Sequence, residues 1–161
     1  MVVEKLIQAL DKLLQLHQNL YQVALQKTDY LKHNKVEELK ELLKKEQMFV
    51  QAIKQIETER IQLTAEFLNR DHDLTLSACI ERSEGKQKEK FEKIADGFSE
   101  TMNKLKAANQ LNRELTHQAL QFVSISLDML MPQENITNYQ RPDVSNAQSD
   151  KLRRSLFDSQ A

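Results

Sequence analysis

Glu114-Leu-Thr-His117 sets a carboxylate and an imidazole three residues apart, on one face of any helix that carries them. Di-iron helical bundles use that spacing, but they need a second copy and two further inward carboxylates. The other histidines, His17, His33 and His72, offer no such partner. His117 also stands two residues past the apolar position Leu115, which turns it to water, so neither a metal nor another cofactor is expected. His17 falls on an apolar stripe and reads as a histidine satisfied at a core edge. Nucleophiles fare no better. Cys79 has no His beside it and packs as a small hydrophobe, while Ser124 and Ser126 sit in a helical pattern and not on a strained elbow. Asn135-Ile-Thr137 matches a glycosylation acceptor that a cytoplasmic chain would leave unused. These residues argue for a protein that is not an enzyme.

The elements that position them follow from what is scarce. Two Gly and two Pro in 161 residues leave little material for hairpins, glycine-cradled nucleotide sites or linkers. What remains is long helix. Charged residues at 29%, hydrophobic residues at 40% and a mean hydropathy of −0.62 suit helices with one apolar stripe and a wet back. Lys plus Arg number 23 against 24 Asp plus Glu, so no global field draws the chain to nucleic acid or anionic lipid. A single cysteine cannot form an internal disulfide, no apolar run reaches the roughly 18 residues of a spanning helix, and the start reads as helix and not as a secretory signal. The expected location is the cytoplasm.

Apolar positions in alternating steps of three and four mark an all-α fold: an elongated antiparallel helical bundle or coiled coil of three main helices, at about 2–32, 35–68 and 86–131. The first stripe runs through Leu6, Leu10, Leu13, His17, Ala24, Thr28 and Leu31. Asn34 followed by Glu37 predicts a capping box and a hairpin, with a kink in one rod as the alternative. The second stripe runs through Val36, Leu39, Leu43, Val50, Ile53, Ile56 and Phe67. Asn69 to Thr75 is dense in turn and cap residues, predicting a reversal and a short connector helix at about 76–83, capped by Asp73 or Thr75 and ended by Gly85. The third stripe runs from Phe91 through Ile94, Phe98, Met102, Leu105, Asn112 and Leu115 to Leu130, where Pro132 stops the helix. The expected domains are therefore a bundle at 1–131 and a flexible tail at 132–161, too poor in apolar residues to offset its ordering entropy.

Two features of the third helix bear on partners. Asn109 and Asn112 both fall on its stripe, and a buried Asn in an apolar seam trades stability for register. Either both are inward, or Asn109 faces out and only Asn112 is buried. From Leu115 to Met131 the helix is apolar around most of its girth, through Ala119, Leu120, Phe122, Val123, Ile125, Leu127, Met129 and Leu130. It needs more than one packing partner: either the shorter helices cover it, or it receives a helix of another protein.

This layout, with Glu46-Gln47 and Ile56-Glu57-Thr-Glu-Arg60 in the second helix and Asn109-x-x-Asn112-x-x-Leu115 in the third, resembles the FlgN family of flagellar export chaperones over about residues 3–131. The resemblance implies a type III export chaperone that binds the C-terminal helices of the first and third hook-associated proteins, which form the hook–filament junction. It would hold them soluble and unpolymerised until secretion. It places cargo binding at the end of the third helix, here Leu115, Ala119, Phe122, Val123, Ser126, Leu127, Met129, Leu130 and Met131. It also implies delivery to the cytoplasmic domain of the export-gate membrane protein through a tyrosine past the long helix, here Tyr139. A structural coiled-coil or adaptor protein that self-associates is the alternative, and a homo-oligomer without cargo is compatible with either. Lys151-Leu-Arg-Arg-Ser-Leu-Phe157 offers only weak attachment to a membrane surface.

Overall fold

The computed structural model describes residues 1–131. The expected tail at 132–161, with Tyr139 and the Lys151–Phe157 segment, lies outside the described residues. The described chain is all-helical: α1 is Val2–Lys32, α2 is Val36–Leu68, α3 is Leu76–Arg82 and α4 is Gly85–Leu130. Two compact units divide between Leu120 and Gln121, the first being Met1–Leu120. Of the second, residues 121–131 are described.

The joint between α1 and α2 is a hairpin, but Asn34 does not work as the predicted N-cap. Its φ of 54° is left-handed, and the Lys35 N–H donates to the Tyr30 carbonyl at 3.0 Å while the His33 N–H donates to Asp29 at 3.1 Å. That is the closing pattern of a helix C-terminus, where a short amide side chain tolerates the left-handed turn. Lys35 takes the N-cap position of α2 with no side-chain cap. Asn69 repeats the device at the end of α2, with φ 52° and the Arg70 N–H donating to Ala65 at 3.2 Å. Thr75 caps α3 by accepting from the Ala78 N–H at 3.2 Å. Arg60 ties this corner down: its guanidinium pairs with Glu57 at 2.6 Å and donates to the Leu74 carbonyl at 2.8 Å. Gly85, expected to close α3, instead opens α4 at φ +55°, a conformation suited to glycine.

Helix α1 is the centre of the first unit. Near its start Leu6 and Leu10 pack with Leu68 of α2, Ala78 and Cys79 of α3, and Phe91 and Ile94 of α4. A second cluster joins Ala24, Leu20 and Tyr21 to Leu105 and Ala108 of α4. Lys27 pairs with Glu46, so α2 runs antiparallel to α1. Helix α4 runs parallel to it: a Cβ on Gly97 would stand 2.8 Å from Leu14 Cδ2, and His17 meets Phe98 edge-on at 5.6 Å. With neighbours on two sides α1 buries more than one stripe, adding Ala9 and Val23 to the positions expected from spacing.

The stripe of α2 holds at Leu39, Ile53, Ile56 and Phe67, which are half-buried, but is corrected at Leu43. Leu42 is 6% exposed against α1 whereas Leu43 is 44% exposed, and Val36 and Val50 share its open face. Adjacent helical residues point about 100° apart, and no residue of α2 enters the second cluster, so the first half of α2 covers only a narrow strip. In α4, likewise, Thr101 is buried and Met102 exposed.

Candidate functional site

Among the described residues, none of those weighed for chemistry is set up for it, and Asn135 to Thr137 lie outside them. Glu114 and His117 are exposed, Glu114 accepting only a long 3.4 Å bond from Gln110. Among the described residues no three His, Cys, Asp or Glu side chains are placed to hold a metal. His17 is half-buried, its Nδ1 2.7 Å from the Leu13 carbonyl, to which an Nδ1–H donates. Cys79 is buried, and desolvation pushes its thiol above the ordinary value of 9.0, away from the nucleophilic thiolate. Ser124 is exposed and Ser126 half-buried on α4.

Asn112 and Asn109 part company. Asn112 is buried: its Nδ2 donates to the Ala24 carbonyl at 2.8 Å and its Oδ1 accepts from the Thr28 hydroxyl. Asn109 is exposed. The Asn112 amide therefore clasps the last turns of α1, and its two bonds are satisfied at one register of α4. Asn112→Ala should cost about 1–2 kcal/mol, read as a lower urea midpoint at unchanged slope. The low end of the buried-polar range applies because the Thr28 hydroxyl keeps a second acceptor, the Ala24 carbonyl at 3.0 Å.

Thr28 lies one turn before the end of α1, so α1 has nothing to place opposite Thr116 to Leu120. In the first unit Leu115 is accordingly half-buried, while Ala119 and Leu120 are exposed. In the second unit Phe122 is 72% exposed and Leu130 80%, with Val123, Ile125, Leu127, Met129 and Met131 also exposed. Such an apolar run is uncommon on a surface that needs no partner. No pattern of spacing pointed to a further feature, a groove of about 570 Å³ in the first unit, where Lys27 of α1 and Glu46 of α2 meet Asn109, Arg113, His117 and Leu120 of α4. Three helices contribute to it, and only their tertiary register brings the residues together.

Among the described residues, then, the chain is all-helical and its longest helix leaves apolar positions uncovered. The chain belongs to the FlgN family of flagellar export chaperones: the family described as FlgN protein matches residues 1–145. It is similar to the uncharacterized protein YvyG of Bacillus subtilis (strain 168), 41% identical over 162 residues and covering 100% of both chains. No solved structure matches it.

Proposed function

We propose that the protein binds the C-terminal helices of the first and third hook-associated proteins, keeps them unpolymerised in the cytoplasm and delivers them to the export gate. The observation that carries this is the apolar run from Leu115 on α4 to Met131, most of which is exposed. An amphipathic cargo helix that would otherwise drive polymerisation buries its apolar face there, gaining roughly 25 cal/mol per Å² less the cost of ordering both segments. The binding is reversible by design, since cargo must leave.

The test is calorimetric titration of the full chain with the two C-terminal segments, with light scattering on the same samples. Saturable one-to-one binding with a negative heat-capacity change supports the reading. No heat and no complex from a folded sample overturns it, and a stable cargo-free oligomer then favours a self-associating coiled-coil protein.

Docking at the gate is assigned to Tyr139, whose ring supplies contact area with few rotatable bonds. Tyr139→Ala should leave cargo affinity unchanged and weaken the chaperone–cargo complex for the cytoplasmic domain of the gate about tenfold or more, as a removed aromatic anchor does. Surface plasmon resonance with the immobilised domain reads this directly, and equal affinities would remove Tyr139 from the account.

A further inference from the structure

The groove in the first unit is mostly polar, and sets one apolar side chain, Leu120, beside a cation with no anionic partner among the described residues. Lys27 is committed to Glu46 at 2.5 Å. Arg113, which α4 contributes, is exposed and takes part in no ion pair or side-chain hydrogen bond among the described residues. Asn109 and His117 lie one turn to either side of it, and Leu120, exposed and part of the uncovered end of α4, closes the groove beyond His117. An aliphatic segment would use Leu120 and waste Arg113; a small anion would use Arg113 and leave Leu120 wet.

We infer that this groove receives the last turn of the cargo helix and that Arg113 binds its terminal carboxylate. The inference rests on the cargo reading above and adds the polarity of the docked helix, C-terminus inward. Two negative features coincide at that end. A helix C-terminus carries about half a unit of negative charge from its unpaired carbonyls, and the chain end adds a full carboxylate. A guanidinium presents paired N–H donors at the spacing of a carboxylate's two oxygens, and Asn109 offers amide donors one turn away. The groove thus reads where a helix ends, which the apolar run by itself does not.

The experiment titrates the full chain, by calorimetry, with the C-terminal segment of the first hook-associated protein made in two forms, one ending in the free carboxylate and one in a carboxamide. The carboxylate form is expected to bind about tenfold more tightly, in keeping with a charge-assisted hydrogen bond in a partly wet site. Arg113→Gln, at an exposed position, should lower the affinity of the carboxylate form to that of the carboxamide and leave the carboxamide unchanged. Equal binding of the two forms by the parent chain overturns the inference while the chaperone reading stands. A carboxylate preference that persists in Arg113→Gln overturns the assignment to Arg113. A cargo-free dimer that the carboxylate segment fails to dissociate makes a second copy the occupant and overturns it as well. Failure of both forms to bind takes down the cargo reading itself.

Discussion

Phe122→Asp and Leu130→Asp are each expected to weaken cargo binding by two orders of magnitude or more while leaving the helical circular dichroism of the free protein unchanged. The two halves of that result have separate causes. Both side chains are largely exposed, Phe122 at 72% and Leu130 at 80%, so a carboxylate there costs the free chain little. Under a docked helix the same carboxylate loses its water without gaining a partner, at a cost of several kcal/mol, and each 1.4 kcal/mol is a factor of ten in affinity. Calorimetry with the hook-associated segments measures the first half and far-ultraviolet dichroism the second. Undiminished binding by both variants would move the cargo surface off the end of α4.

The opposite pattern is expected at the other end of the same helix. Phe91 is 0% exposed, packs among α1, α2 and α3, and meets the Phe67 ring at 5.9 Å between centroids. Phe91→Ala should destabilise the protein by about 3–5 kcal/mol, the transfer loss of an aromatic ring plus the cavity it leaves. Chemical denaturation would register this as a large fall in midpoint. At a temperature where the variant is still folded, cargo affinity should be retained, because the lesion lies far along α4 from the uncovered run. A loss below about 1 kcal/mol would mean that this cluster does not hold the first unit together.

The helices could be read from the sequence because their interruptions are rare and chemically distinct. Four helix boundaries fall within a residue or two of where Asn34, Asn69, Thr75 and Pro132 put them, although Asn34 ends a helix where it was expected to begin one. Spacing alone could not resolve that, since a short amide side chain serves both as an N-cap acceptor and as a left-handed terminator. The one-position shift at Leu42 and Leu43 has another origin. Both are leucine, and the choice depends on how α1 lies across α2, which periodicity does not encode. The apolar end of α4 was legible because too many faces carried apolar residues for one neighbour to bury. The groove at Arg113 was not, since Lys27, Glu46 and Arg113 are unremarkable surface residues until three helices meet.

The three-residue joint at 33–35 also sets an order of events. Helices α1 and α2 meet through a joint that costs little chain entropy to close, whereas the bonds in which Asn112 accepts from Thr28 and donates to Ala24 span 84 and 88 residues. The hairpin can therefore form while α4 is still being synthesised, with one flank of α1 open until the later helix arrives. Helix α4, which carries Phe91, Ile94, Leu105 and Ala108 into the clusters with α1, completes the first unit only afterwards.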